Sequence, residues 1–405
     1  MKKSKPKKNN LKKIILRKLF YRSIPVYWLQ LIHQKSRLIV SIVGVTFSVI
    51  LIFTQLGLRD GMFEDSVTMH KTLAADIVVL PAETQNFWTI YARSFPRRVL
   101  YSISGIDGIN SVSPFYLAWG HFKNPINFSN VNIAISAFNP NKPIFKLSEV
   151  NQQIDIIKQA DTFLFDRFSR GEFGPIAKIL ENNDYLETEL SNRKIKIKGL
   201  FSLGGGVFSA DGMLITSDVN YAYIFNEKLE KVHLGLVTLK PGYDSKVIIK
   251  KISEKLSKGI AVMTIEELMK KEKIYWAKAT PIGFIFNLLS VMSFIIGGII
   301  VYQILYTQIS DYLPAYATLK AIGYKDRYLI ITVLKEALVM SILGYIPGLF
   351  LSYFIYSFLQ NATRLPLFMT FSRICLVLFL TIFMCSIGSI LAIFKLRSAD
   401  PAELL

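Results

Sequence analysis

Leu38-Ile-Val-Ser-Ile-Val-Gly-Val-Thr-Phe-Ser-Val-Ile-Leu-Ile-Phe-Thr-Gln-Leu-Gly-Leu58 carries no charge over 21 residues. A helix of about 20 apolar residues matches the hydrocarbon thickness of a bilayer, so this segment is expected to cross a membrane. Three more runs share its character: Ile282–Tyr306, Leu338–Phe358 with an apolar run-in from Tyr328, and Ile374–Phe394. The long interval between the first two holds a mixture of charged and apolar residues. The expected fold class is therefore a membrane α-helical protein: four transmembrane helices and one large mixed α/β extracytoplasmic domain inserted between helices 1 and 2.

The net charge of +19 is unevenly placed. Residues Met1 to Leu38 hold 12 Lys/Arg and no Asp or Glu, whereas residues 59–281 carry 28 basic and 24 acidic side chains, an ordinary soluble surface. An arm so basic, followed at once by an apolar span, is read as lying against anionic lipid headgroups rather than nucleic acid. Its part Leu11–His33 alternates basic and apolar residues, as an amphipathic surface segment does. The charged region runs ~38 residues before the apolar run, and Gly57-Leu58-Arg59-Asp60 beyond that run offers no small-residue cleavage pattern, so a retained anchor is expected. Short-loop basic residues set orientation: Lys320, Lys325 and Arg327 between spans two and three, Lys395 and Arg397 in the tail, against Arg364 and Arg373 between spans three and four. Both termini are thus expected inside, in a multi-pass inner-membrane protein.

The expected organisation is a basic cytoplasmic arm (1–37), the first span (38–58) and an extracytoplasmic α/β domain with stalk helices (59–281). There follow the second span (282–306), a cytoplasmic coupling loop with the start of the third helix (307–337), and the third span (338–358). A short outer loop (359–373), the fourth span (374–394) and a cytoplasmic tail (395–405) complete it. Within the domain, Asp76–Leu80, Val131–Ala137, Arg193–Gly199 and Leu234–Leu239 read as strands. Leu234 to Thr264 reads as strand, Pro241-Gly242 turn, helix (Ser245–Leu256) and strand, a β-α-β unit. Thr264–Thr280 reads as a helix with Thr264 as N-cap and Glu266 and Glu267 in its first turn. Arg59–Leu73 is expected to extend the first span outward as its counterpart.

No catalytic or metal constellation emerges. The four histidines (His33, His70, His121, His233) lack ligand spacing, and both cysteines, Cys375 and Cys385, lie in the last span. Gly204-Gly205-Gly206 lacks the lysine of a phosphate loop and is read, with Asp211-Gly212, as turn. The chain is therefore expected to be no enzyme and to bind no cofactor of its own. Lys335 and Glu336 are expected to snorkel to the interface rather than form a proton path.

The loop Asp311-Tyr-Leu-Pro-Ala-Tyr-Ala-Thr-Leu-Lys-Ala-Ile-Gly-Tyr-Lys325 is the most specific stretch. Pro314 suits a helix start and Gly323 a helix end, and Tyr312, Tyr316, Leu319 and Lys320 fall at helical spacings on one face. A short helix with such a face suits docking into a groove on a partner. This loop, the large domain after span one and the tail Leu396-Arg-Ser-Ala-Asp-Pro-Ala-Glu-Leu404 resemble the permease subunits of the MacB/FtsX/LolC class of ABC systems. The pattern is similar above all to DevC-type exporter permeases. That similarity is carried by Trp28-Leu-Gln-Leu31, Gln55-Leu-Gly-Leu-Arg-Asp60, Ser113-Pro-Phe-Tyr116, Phe165-Asp-Arg167, Ala210-Asp-Gly212, Gly283-Phe-Ile-Phe286, Val301-Tyr-Gln-Ile-Leu-Tyr306 and Tyr345-Ile-Pro-Gly348.

The resemblance implies a permease homodimer bound to a separate cytoplasmic ABC ATPase that holds the ATP. It also implies a periplasmic membrane-fusion adaptor and a TolC-like outer-membrane channel. Tyr312, Leu313, Tyr316, Leu319, Lys320 and Gly323 would then couple to the ATPase, and Arg59, Asp60, Glu266, Glu267, Tyr275 and Trp276 would belong to the stalk. The DevC pattern implies glycolipid export. A non-transporting, FtsX-like regulator of a periplasmic enzyme is the alternative that the four-span plan leaves open.

Overall fold

Runs of β-branched and aromatic residues assemble one nine-stranded sheet, and the uncharged runs form long helices. The computed structural model describes residues 35–203, 212–311 and 326–397. The basic arm with its amphipathic segment, the triglycine Gly204–Gly206, the six coupling residues Tyr312, Leu313, Tyr316, Leu319, Lys320 and Gly323, and the tail beyond Arg397 lie outside the described residues. The chain divides into two units. A helical unit comprises residues up to Gly57 with Phe286–Phe358 and Phe368 onward, and a sheet unit comprises Leu58–Ile285 with Leu359–Leu367.

In the sheet unit the strands are β1 (Ile77–Pro81), β2 (Phe95–Pro96), β3 (Ile109–Lys123), β4 (Asn130–Phe138), β5 (Thr162–Asp166), β6 (Leu186–Leu190), β7 (Arg193–Phe201), β8 (Met213–Ser217), β9 (Lys231–Val232), β10 (Leu234–Leu239) and β11 (Ile260–Thr264). The large sheet has the order β11-β1-β10-β3-β4-β8-β5-β7-β6, while β2 and β9 pair separately. Phe122 of β3 also pairs with Leu190 of β6, so the far half of the sheet curls back on itself. The period-two pattern of β7 buries Ile195, Ile197 and Phe201 and turns Lys194 and Lys196 to solvent.

The β-α-β unit read from sequence is present, with one elaboration. β10 and β11 are both antiparallel to β1 and lie on either side of it, so the crossover helix Ser245–Lys255 spans an intervening strand. That helix buries Ile248 and Ile252, and Asp244 caps it by accepting from the Lys246 N–H. Three clusters of buried side chains fill the faces of the sheet. Phe115 is fully buried in the first, with its ring centroid 6.0 Å from Phe87 and 6.5 Å from Phe145. Phe115→Ala is expected to lower unfolding stability by about 3–5 kcal/mol, read by denaturant titration, because the aromatic neighbours cannot collapse into the space.

Among the described residues four helices are long and apolar enough to cross a membrane, Lys35–Asp65, Pro281–Asp311, Asp326–Thr363 and Phe371–Arg397, and their stretches up to Gly57, Phe286–Phe358 and from Phe368 onward belong to the helical unit. Small residues let the first pack closely on its neighbours. Gly344 and Gly348 of the third sit against Val45 and Val49, and Thr46 Oγ1 donates to the Gly344 carbonyl at 3.0 Å. Ser48 Oγ reaches the Gly297 carbonyl of the second helix at 3.3 Å. Tyr356 donates from its hydroxyl to the Phe53 carbonyl, and Arg373 spans the Tyr356 hydroxyl (3.3 Å) and the Phe368 carbonyl (2.7 Å).

One expectation fails here. Lys335 is exposed, but Glu336 is only 2% exposed, so its side chain is buried instead of snorkelling. Adjacent helical residues point about 100° apart, so an exposed lysine forces the next side chain toward a different face.

Candidate functional site: the helix junction of the sheet unit

Two helical connectors tie the sheet to long helices. The first is the last part of helix Lys35–Asp65, which belongs to the sheet unit from Leu58 onward. The expected extension Arg59–Leu73 is present but interrupted: the helix stops at Asp65, where Ser66 Oγ donates to the Phe63 carbonyl (2.7 Å), and resumes as the short helix Thr68–Thr72. The second connector is the helix Ile265–Lys278. Thr264 Oγ1 accepts from the Glu267 N–H and the Glu267 carboxylate accepts from the Thr264 N–H, both at 3.0 Å, a complete capping box. The helix ends at Ala279, and Pro281 starts the second long helix. The turn is tight: a β-carbon on Gly283 would lie 2.1 Å from the Ala277 carbonyl oxygen.

The connectors meet on a buried polar cluster. Ile265, Leu268 and Glu272 share the inward face of the second connector, and Glu272 is 1% exposed. Its Oε2 accepts from the Phe87 N–H and its Oε1 from the Trp276 indole, each at 2.8 Å. His70, on the short helix and fully buried, places Nε2 4.0 Å from Glu272 Oε2, and its ring lies 4.6 Å from that of Phe87. Neither ring nitrogen of His70 has a hydrogen-bond partner among the described residues. Lys71 and Lys273 both pair with Glu64, which joins the end of the first long helix to the second connector. Lys271 Nζ donates to the Thr84 carbonyl at 2.8 Å.

Burial controls the titration of this cluster. It pushes the Glu272 carboxyl up to about 7, against the opposing pull of its Phe87 and Trp276 donors and of Lys271. It drives His70 down to about 3. A raised carboxyl gives stability that is present below the ordinary value of 4.5 and is lost as pH rises through about 7. The depressed imidazole gives stability that is present above 6.5 and is lost as pH falls through about 3.

A third strand of chain reaches the same unit. In the segment Leu359–Leu367, between the third and fourth long helices, Arg364 donates to the Phe168 carbonyl and lies 5.1 Å from the Phe168 ring centroid. Leu367 packs over Gly61 of the first connector, where a β-carbon would lie 2.5 Å from its Cδ2. Beside Phe168, the buried Asp166 accepts at Oδ1 from the Phe168 and Leu203 N–H groups (3.1 and 3.2 Å). Burial raises its carboxyl, and Arg364 is among the groups that oppose the rise.

Of the stalk residues expected from sequence, Arg59 and Asp60 pair with each other at 2.9 Å on the first connector. Glu266 and Glu267 open the second, and Tyr275 and Trp276 make an edge contact at 5.6 Å. Glu64, Lys71, Glu272 and Lys273 have no role in the sequence reading, where His70 enters only as a histidine without ligand spacing and Arg364 only as a loop cation. One signal for Glu272 was present: Ile265, Leu268 and Glu272 follow the three-and-four spacing of a buried helix face, so a carboxylate there falls among apolar residues. Among the described residues no group of three or more His, Cys, Asp or Glu side chains is placed to hold a metal ion.

Comparison with known proteins adds to this geometry. A family described as FtsX-like permease C-terminal matches residues 287–401. HrtB of Staphylococcus haemolyticus, named as a permease protein of a hemin transport system, is 26% identical over 153 residues. That match covers 38% of this chain and 42% of the relative, less than half of either. The periplasmic region of MacB from Actinobacillus actinomycetemcomitans aligns over 49% of this chain and 92% of its own, at 11% identity and a TM-score of 0.35. The extracellular domain of YknZ, an ABC-type transporter from Gram-positive bacteria, aligns over 47% and 98%, at 10% identity and a TM-score of 0.33.

Proposed function

We propose that this chain, which carries the FtsX-like permease domain of the MacB/FtsX class of ABC permeases, transmits ATP-driven motion from a separate cytoplasmic ATPase to its sheet domain and so drives export. The observation that carries the reading is the Glu64–Lys273 pair with the Glu272 cluster beside it. It ties the end of the first long helix to the second connector and to the sheet, so a displacement of that helix end is felt by the connector and the sheet it enters. Buried, packed elements pass on displacement because interiors are dense and barely compressible. ATP would be bound by the partner subunit.

In this reading the loop Asp311–Arg327 docks the ATPase through Tyr312, Leu313, Tyr316, Leu319, Lys320 and Gly323. The protein sits in the inner membrane as a homodimer with both termini inside and the sheet domain outside. A periplasmic adaptor and a TolC-like duct complete an exporter of an amphiphile such as a glycolipid. The name of the HrtB relative, which refers to hemin, adds hemin to the cargoes worth assaying. The test is reconstitution of the full chain in lipid with the ATPase that co-purifies with it. The reading expects ATP turnover to rise several-fold over the ATPase alone; unchanged turnover counts against it.

A further inference from the structure

Resting on the coupling reading above, we propose that His70 and Glu272 form a proton-operated latch between the two connectors, closed when the pair gains one proton and open when it loses it. The geometry is specific. A fully buried imidazole with two unpartnered nitrogens stands 4.0 Å from a carboxylate oxygen that is itself buried. Hydrogen-bond length is about 2.7–3.0 Å, so a closure of roughly 1 Å joins them. One proton suffices: the Glu272 carboxyl O–H donates to Nε2 of an imidazole that burial keeps neutral. That proton lies between Oε2 and Nε2, and the Phe87 N–H then shares its acceptor.

Position gives the latch its leverage. His70 follows the end of the first long helix by five residues, and Glu272 lies nine residues before Pro281 opens the second. Closure draws the short helix Thr68–Thr72 onto the second connector. The charged groups on the surrounding elements are Arg59, Asp60, Glu64 and Asp65 at the end of the first long helix, Lys71 on the short helix, Glu83 ahead of Phe87, and Glu266, Glu267, Lys270, Lys271, Lys273 and Lys278 on the second connector. Glu64 is engaged by Lys71 and Lys273, and Lys271 by the Thr84 carbonyl, whereas neither ring nitrogen of His70 has a hydrogen-bond partner among the described residues, so Glu272 exchanges its proton beside an open acceptor. Burial of Glu272 places that exchange at about pH 7.

The test is infrared difference spectroscopy on the full chain in lipid nanodiscs, titrated from acid to alkaline pH. The expected result is a protonated-carboxyl band that disappears with a half-point near 7 and is absent in Glu272→Gln. His70→Phe keeps the ring packing against Phe87 but removes the acceptor. It is expected to shift the band to higher frequency and move the half-point by about one pH unit. Glu272→Asp provides a second variant should Glu272→Gln fail to fold, and is expected to retain a shifted band. Absence of the band in the native chain, or a band unmoved by His70→Phe, would overturn the latch. A band that behaves as expected while ATP turnover by the co-purifying ATPase stays flat with pH supports the latch and counts against the coupling reading instead.

Discussion

Gly283→Ala is expected to reduce stimulation of the partner ATPase to its basal rate while the sheet core stays folded. A β-carbon there meets backbone, 2.1 Å from the Ala277 oxygen and 2.5 Å from its carbonyl carbon, so no change of rotamer relieves the contact. The second connector must tilt away from the second long helix, at a cost of about 1–3 kcal/mol for overpacking. In the proposed coupling reading, that shift loosens the turn between the connector and Pro281. Hydrogen exchange would read the result as lost protection in Ile265–Lys278 with β3 and β4 unchanged. Gly259→Ala is the control, since a β-carbon there meets nothing within 4 Å. Full stimulation in Gly283→Ala would mean that the joint angle is not part of the relay.

The second large effect is expected at the other end of the relay. Tyr316→Ala combined with Leu319→Ala removes two neighbours on the face read as the ATPase-docking surface. Large side chains at the centre of an interface commonly carry 2 kcal/mol or more each, so the pair is expected to weaken the complex by at least about a hundredfold. ATPase stimulation should vanish, while the thermal unfolding midpoint of the permease alone stays in place. Retained stimulation would show that the ATPase docks elsewhere.

The sequence was most legible where one physical signal dominates. Uninterrupted apolar runs located the four long helices, because hydropathy alone decides that question. Alternation marked β7, and Thr264 with Glu267 announced the start of the second connector through side chains that do nothing else as economically. The junction was much less legible. Glu272 and His70 are joined across 202 residues of chain, and their pairing depends on how the β1–β11 pairing aligns the segment before β1 with the segment after β11. Arg364 looked like an ordinary loop cation, since nothing in its neighbours in sequence points to Phe168. Glu336 is buried against expectation because helical geometry turns it about 100° from the exposed Lys335 beside it.

Impermeant thiol labelling tests the central claim most directly. Asn141→Cys and Ala315→Cys would be made separately in a chain bearing Cys375→Ser and Cys385→Ser, and intact cells would be labelled before and after permeabilisation. The account predicts that position 141 labels in intact cells and position 315 only once the membrane is breached. Labelling of both positions on the same side would contradict it, because no motion could then be carried across the bilayer.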